Sequence, residues 1–377
     1  MTSAWTSHSG PAAEELAGRP VALHYGDPGA EYEALQTGAA LVDRRHRTRT
    51  RFDGPRAADL VTGLVTNDVK GLTPGHGQYA AALSPKGKII ADVRILALAA
   101  EATPGGQAGP TVHGADAHGV ASLLVDVPPR AAAGWTEIVR KYVNPRVVPY
   151  RDESETLADV GVFGPRARQA IADALALQAP ALGALPAYGH AAALVDGQVV
   201  SVVRVPELEL VEGFELIAPA ALRDVLWSRL AASGATPAGH LAWEVARVEG
   251  GRPEWGLDID ETTIPQEANF DELHAISYTK GCYTGQETVA RVHFRGHVNR
   301  HLRGLRFTGH ELPPARAQLL DALAKPVGDV RTAVHSPRFG PIALGMVRRE
   351  IALGDEIVVR WDGGETRAAV VGLPFTL

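Results

Sequence analysis

The single cysteine of the chain lies in an eight-residue segment, Lys280 to Glu287, with the sequence KGCYTGQE. Cys282 has no second cysteine with which to form an internal disulfide, so a covalent structural role is excluded. Lys280 supplies a nearby cation, which favours the reactive thiolate form. Gly281 and Gly285 permit backbone conformations with positive φ or a close approach to another group. The segment therefore predicts a reactive thiol in a shaped loop, and the alternative is a small apolar residue buried in a core.

Two carboxylates stand in strand-like runs of apolar residues. Asp92 follows the turn Ser84–Lys88, and Glu215 alternates with apolar neighbours. A carboxylate in a cleft can bind a basic nitrogen or accept two hydrogen bonds from an N–C–N edge. The alternative is an ordinary outward-facing position, with Asp92 paired to Arg94.

Basic residues form two clusters, and solvated surface charge is the default expectation for both. A shared groove would let them hold a polyglutamate tail or a phosphate backbone, so RNA contact stays open. The alternation of arginine with threonine in the first cluster is also typical of the outward face of a strand. The first cluster comprises Arg44, Arg45, Arg47, Arg49 and Arg51, and the second comprises Arg291, Arg295, Arg300, Arg303 and Arg306.

Three histidines at intervals of four, His293, His297 and His301, would share one face of a helix. Gly296 and β-branched neighbours instead favour a strand or loop there, so no metal site is predicted. The sequence also contains no P-loop, dinucleotide-binding fingerprint, paired zinc cysteines or nucleophile elbow.

Composition narrows the protein class. The 377 residues exceed one ordinary core and predict two or three domains. Hydrophobic residues at 45% and charged residues at 21% are typical of a globular protein, and the net charge of −6 gives no global attraction to polyanions. The single cysteine and the lack of a secretory signal at Met1 to Gly10 predict a cytoplasmic protein. The sequence has no long apolar run, so no membrane span is expected.

The order of elements predicts an α+β chain. A strand, Gly-Pro, a helix and paired strands occur at 51–98 and again at 160–217, which indicates two related α+β units. A polar, glycine-rich loop is expected from Ala102 to Gly109. Arg247 lies near the end of a helix through Ala242 to Val248, or in a β-segment. Five short β-type runs after His301 predict a small β-barrel.

Several separated motifs of the chain occur in the order that is typical of one protein family. The chain resembles the YgfZ family of folate-binding proteins, relatives of the glycine cleavage T-protein, which is an aminomethyltransferase. The resemblance covers roughly residues 30–377. It rests on Val65–Val69, Ser84–Lys88, Gly213–Leu216, Ala246–Pro253, Leu257–Asp260, Ile264–Glu267 and Lys280–Glu287.

This resemblance implies a T-protein-like fold of three domains around a central tetrahydrofolate site. Residues 1–50 and 150–235 are expected to form the first α+β domain, and residues 51–149 and 236–298 the second. Residues 299–377 are expected to form the C-terminal β-barrel.

The resemblance also assigns roles to individual residues. Glu215 and Arg247 match folate-contacting positions, and Tyr283 and Gln286 are expected to contact the cofactor as well. Asp92 falls on or beside the T-protein's catalytic acid, where the T-protein pattern has two adjacent acids and this chain has only one.

The cysteine motif is absent from the T-protein and marks the branch that supports iron–sulfur enzymes, including those that modify tRNA. The first hypothesis is therefore a tetrahydrofolate-binding accessory factor that acts on iron–sulfur enzymes or assembly proteins, with Cys282 as reactive group and Lys280 tuning its charge. The alternative is a folate-dependent aminomethyltransferase in which Asp92 orients or deprotonates an amine. Whether the chain is itself an enzyme, and which one-carbon derivative of tetrahydrofolate it binds, stay open.

Overall fold

A computed structural model of the protein describes residues 13–16, 18–99 and 119–377. The start of the chain, Met1 to Gly10, and the glycine-rich loop predicted from Ala102 to Gly109 lie outside these residues. Within them, no helix is both long enough and apolar enough to cross a membrane.

A short hairpin precedes the first large sheet. The hairpin pairs β1 (Ala13–Leu16) with β2 (Arg19–Ala22). The sheet contains β3 (Ala40–Asp43), β9 (Leu157–Phe163), β10 (His190–Val195), β11 (Gln198–Arg204), β12 (Gly213–Pro219) and β13 (Thr236–Pro237). Its order is β10-β11-β12-β9-β3-β13, and all neighbours are antiparallel except β13 and β3.

The second large sheet is antiparallel and has five strands. It contains β4 (Thr48–Asp53), β5 (Gly77–Leu83), β6 (Ile89–Leu98), β7 (Ser122–Val127) and β8 (Tyr150–Asp152). Its order is β5-β6-β7-β4-β8, so the strand that begins at residue 150 belongs to this sheet. The domain boundaries expected from the sequence stay a prediction.

Eight helices complete the described part of the two α+β units. They are α1 (Pro28–Thr37), α2 (Ala57–Leu64), α3 (Ala132–Tyr142), α4 (Ala167–Leu175), α5 (Ala179–Gly183), α6 (Arg223–Ala232), α7 (His240–Glu249) and α8 (Gln286–Arg295). Arg247 therefore lies on a helix, α7, rather than in a β-segment. That helix packs against α1 and against the C-terminal barrel, so it lies where the units meet.

The internal repeat predicted from the sequence is confirmed. The order β5-β6-β7-β4 in one sheet corresponds to β10-β11-β12-β9 in the other, and a helix follows β4 and β9 alike. The residues that open these helices, Arg56 and Arg166, have nearly equal dihedral angles, with φ −101° in both and ψ of 2° and 1°. Gly164 must be glycine, because a Cβ there would lie 2.4 Å from the carbonyl oxygen of Gly38.

Six strands form the predicted C-terminal barrel, which is closed by pairing between its first and last strands. They are β14 (Arg300–Phe307), β15 (Gln318–Leu320), β16 (Pro326–Ser336), β17 (Gly340–Arg348), β18 (Glu356–Trp361) and β19 (Gly364–Val371). Apolar side chains that include Leu305, Val330 and Val359 fill its core.

The prediction of a strand or loop around His293 is wrong. Residues Gln286–Arg295 form a helix in which the side chain of Val289 is buried. Gly296 ends this helix and does not prevent it. His297 lies beyond this end and His301 lies on β14, so the three histidines do not share a helical face.

Candidate functional site

A tight turn joins the two large sheets. It connects β3 to β4 through Arg44, Arg45, His46 and Arg47, and it is held by a hydrogen bond from the Arg44 amide to the Asp159 carbonyl (3.0 Å). Arg44, His46 and Arg47 are buried, and Arg49 on β4 is fully buried. The expectation of solvated surface charge is therefore wrong for most of the first arginine cluster, because these side chains have acidic partners inside the protein.

Those partners form an ion-pair network between the sheets. Asp126 on β7 accepts hydrogen bonds from Arg47 and from Arg94 of β6, the latter at 2.8 Å. Arg49 donates to Asp159 of β9, in the other sheet. Burial alone would raise the pKa of Asp126, but Arg47, Arg94 and Arg49 hold it well below its usual range.

Glu215, the carboxylate expected to contact the pterin, belongs to this network. Its Oε1 accepts from Arg44 Nε at 3.1 Å, and its Oε2 lies 2.7 Å from Arg94 Nη1. Only 1% of the residue is exposed. Both carboxylate oxygens are thus engaged by arginines before any ligand arrives.

Two neighbouring pockets lie beside the turn, and we refer to them as the two lobes of one cleft because four residues line both. The larger lobe holds about 490 Å³ of empty space, part of it open to solvent, and its walls are mostly polar. The smaller lobe encloses about 280 Å³ of empty space, which also includes space open to solvent, and its lining includes the apolar and aromatic side chains of Val21, Tyr25, Val42 and Ala238. The residues common to both linings are Arg44, His46, His240 and Trp243.

Asp92 lines the larger lobe. Its Oδ2 accepts a hydrogen bond from the Tyr79 hydroxyl at 2.9 Å, whereas its buried Oδ1 has no partner among the described residues. Burial raises the pKa of Asp92 to about 6, against the opposing pull of Arg47. A buried carboxyl group with a free oxygen and a pKa near neutrality is suited to proton transfer.

Arg247 also lines the larger lobe, yet it is tightly held. Its guanidinium donates to Glu244 Oε1 and to Asp258 Oδ2, each at 2.6 Å, and to the backbone carbonyl of Arg252. Burial alone would lower the pKa of Arg247, but Asp258 and Glu244 raise it well above its usual value. The residue therefore presents a permanent, fixed positive charge.

Glu207, a residue that the sequence reasoning missed, is a second carboxylate in the larger lobe. Its oxygens lie 3.6 to 3.9 Å from Arg94, Arg44 and Arg252, which is loose for an ion pair. Although burial opposes it, Arg94 and then Arg252 lower the pKa of Glu207 to about 2. It follows β11 in a segment that also contains Glu209 and Glu212, and no sequence signal distinguished it from them.

The cysteine motif lies elsewhere. Among the described residues, none from Lys280 to Glu287 lines either lobe. Cys282 is free and exposed, in the loop that precedes α8. Gln286 begins α8, and Tyr283 is buried in the main apolar cluster. The structure therefore brings Asp92 and Arg247 together at the cleft and separates them from the expected thiol site.

Lys280 anchors this loop to the end of α2. Its Nζ donates to the carbonyl oxygens of Thr62, Val65 and Asn67 at 2.5 to 2.9 Å. These acceptors include carbonyls that the end of α2 leaves without helical partners. The ammonium also lies 4.5 Å from the centre of the Tyr283 ring. Burial lowers the pKa of Lys280 to about 8, which leaves the ammonium largely protonated at neutral pH.

Comparison with known families matches almost the whole chain. Residues 3–104 and 123–277 match the GCVT N-terminal domain, and residues 300–376 match the glycine cleavage T-protein C-terminal barrel domain. Similar curated proteins include an aminomethyltransferase of Nostoc sp., 28% identical, which aligns over 92% of this chain and 86% of its own length. An aminomethyltransferase of Thermosynechococcus vestitus is 29% identical over 94% of this chain and 89% of its own length.

The fold has a counterpart among solved structures. The glycine cleavage system aminomethyltransferase T from Bartonella henselae superposes with a TM-score of 0.80 at 20% identity. The match covers 98% of this chain and 95% of that one. The expected T-protein-like fold is thereby confirmed, including its α+β units and closed barrel.

Proposed function

Because the chain belongs to the family of the GCVT N-terminal domain and the glycine cleavage T-protein C-terminal barrel, we propose that it is a folate-dependent aminomethyltransferase of the T-protein type. The cofactor would be tetrahydrofolate or a one-carbon derivative of it. The observation that carries the proposal is the position of Asp92, a buried carboxyl group with an unpartnered oxygen in the central cleft. The names of the relatives support the same activity.

The residues of the cleft fit a folate. A pterin ring carries several N–H donors, and the larger lobe offers the free Oδ1 of Asp92 and the loosely paired carboxylate of Glu207. A p-aminobenzoyl ring is flat and apolar, which suits the smaller lobe with Tyr25 and Val42 in its wall. Arg47, Arg247 and Arg252 line the larger lobe and add positive charge for an anionic ligand. Glu215 would not take the pterin, because Arg44 and Arg94 already engage it.

Bound tetrahydrofolate would supply the nitrogen that accepts the one-carbon unit. The protein's part is to position the reactants and move a proton. Asp92 is mostly ionised at neutral pH, since its pKa of about 6 lies below 7, and it can orient an amine N–H or accept its proton. Tyr79 fixes the carboxylate by donating to its other oxygen.

The test is a reconstituted glycine-cleavage assay that supplies the other components of the system and tetrahydrofolate. We expect activity in the wild type, a loss of at least about 100-fold in kcat for Asp92→Asn, and less than about twofold change for Cys282→Ala. The pH profile of the wild type should rise through an apparent pKa near 6. An inactive wild type, or full activity in Asp92→Asn, would refute the proposal.

A second candidate rests on Cys282, an exposed thiol on a loop that Lys280 anchors to α2. In this role the chain is a folate-binding accessory factor for iron–sulfur enzymes, and RNA-modifying enzymes are among the expected clients. The test measures a tRNA methylthiotransferase in cells that lack the protein and carry either the wild type or Cys282→Ala. Rescue by the wild type alone would support this role, and unchanged enzyme activity in the deletion would remove it.

A further inference from the structure

His46 is one of four residues that line both lobes of the cleft, and the others are Arg44, His240 and Trp243. His46 lies in the turn between β3 and β4, it contributes to the walls of both lobes, and 8% of it is exposed. A ligand that extended from one lobe into the other would contact side chains of this shared wall, His46 among them. His46 therefore lies where the two halves of an elongated ligand would be joined.

The neighbours of His46 in the turn already have partners inside the protein. Arg44 is bound to Glu215, and its guanidinium lies 3.9 Å from the centre of the Trp243 ring. Arg47 is bound to Asp126. His46 differs, because its buried Nδ1 has no hydrogen-bond partner among the described residues. An unsatisfied buried polar atom costs free energy, which a ligand can recover by bonding to it.

His46 is also held in its neutral form. Burial, and then the positive charges of Arg44 and Arg47, keep the pKa of His46 well below its usual value. A neutral imidazole carries one N–H donor and one nitrogen acceptor, whereas an imidazolium carries donors only. The side chain is therefore equipped to accept a hydrogen bond from a ligand N–H.

We propose that His46 recognises the link between the two rings of the folate by accepting a hydrogen bond from its N10–H group. This inference rests on the proposed folate site and deepens it. The polar lobe would take the pterin and the apolar lobe the benzoyl ring, which leaves the connecting C9–N10 segment beside the wall that both lobes share. His46 thereby favours folates whose N10 carries a hydrogen over folates substituted at that nitrogen.

The test compares two ligands that differ only at N10, tetrahydrofolate and 10-formyltetrahydrofolate, by calorimetric titration under anaerobic conditions. We expect the wild type to bind tetrahydrofolate about tenfold more tightly, because the formyl group removes the donor and leaves the imidazole unsatisfied. In His46→Ala the ratio should fall to within about twofold. His297→Ala, which removes an exposed histidine outside the cleft, should keep the wild-type ratio.

The outcomes separate this inference from the proposed function. A wild type that binds neither folate refutes the folate site itself. A wild type that binds both equally, or a His46→Ala variant that keeps the full preference, overturns the role of His46 and leaves the folate site standing. If His46→Ala does not fold, His46→Asn replaces it, and the same loss of preference is expected because the shorter side chain withdraws its acceptor.

Discussion

At the scale of single residues, two buried carboxylates, one on each large sheet, have different roles. Asp92 and Glu215 both lie on strands and both are buried. Glu215 has an arginine nitrogen within 3.1 Å of each oxygen, whereas Asp92 has one hydroxyl donor and, in the described part of the chain, no hydrogen-bond partner for its Oδ1. The first arrangement fixes the carboxylate in position, and the second leaves a carboxyl group able to exchange a proton.

Asp92 should make the stability of the fold depend on pH. Its pKa in the folded state, about 6, lies above its unfolded value of 3.8, so the folded protein binds this proton more tightly. The resulting stabilisation is complete below about pH 4 and is lost as pH rises through about 6. Relative to the wild type, Asp92→Asn should therefore gain about 3 kcal/mol in free energy of unfolding at pH 7.5 and less than about 1 kcal/mol at pH 4.

Denaturant titrations between pH 4 and 8 measure this difference. Asp362→Asn, in an exposed turn between β18 and β19, is the matched control and should show no such trend. A difference of equal size at pH 4 and pH 7.5 would contradict the raised pKa of Asp92.

At the scale of elements, the cysteine loop is positioned by its neighbours rather than by its own sequence. Lys280 ties one side of it to the end of α2, and Gly285 packs the other side onto the turn between β5 and β6. The side chain of Thr288 donates to the Lys86 carbonyl of that turn at 3.1 Å. Cys282 is thus presented on a well-supported loop, although its side chain is exposed.

The two glycines of the motif should differ sharply in tolerance. Gly285 has φ of +81°, and a Cβ there would lie 2.5 Å from the Ser84 carbonyl oxygen, whereas a Cβ at Gly281 meets nothing within 4 Å. Gly285→Ala should lower the free energy of unfolding by about 2 kcal/mol or more, through both strain and the clash. Gly281→Ala should change it by less than about 0.5 kcal/mol. Equal effects of the two substitutions, measured by denaturant unfolding, would refute this account of the loop.

At the scale of the whole molecule, the buried ion pairs join the two α+β units. Arg49 and Arg94 belong to the second sheet, and their partners Asp159 and Glu215 belong to the first. Arg44 and Arg47, the neighbours of His46 in the turn, belong to this network, so it holds this wall of the cleft in place. Removing one partner from such a network leaves a buried charge without compensation.

Glu215→Gln should therefore act on the fold before it acts on ligand binding. We expect a loss of about 3 to 5 kcal/mol in free energy of unfolding, because Arg44 and Arg94 lose their shared anion. Glu212→Gln, which removes a partly exposed partner of Arg168, should cost less than about 1 kcal/mol. Thermal and denaturant unfolding measure the stability, and folate titration measures the affinity. Unchanged stability with lost folate affinity would instead assign Glu215 to direct contact with the pterin.

Much of the architecture was predictable from local patterns. The repeated order of strand, Gly-Pro, helix and paired strands indicated two related units, and the short β-runs after His301 indicated the barrel. These signals depend on turn residues and on the spacing of apolar side chains, which act over a few positions. The local pattern does not predict the helix at Gln286–Arg295, because the glycine that ends it, Gly296, is typical of a loop as well as of a helix C-terminus.

The sequence by itself determined the wider family of the glycine cleavage T-protein, many of the elements and the set of side chains available for chemistry. The tertiary structure alone decided which of them meet. Arg44 and Glu215 lie 171 positions apart, yet their contact gives this carboxylate an arginine partner inside the protein. The same folding buries His46 in the wall that both lobes share and leaves Asp92 Oδ1 without a hydrogen-bond partner among the residues that the structure describes. Partners, burial and pKa depend on contacts between distant segments, and no local pattern encodes those contacts.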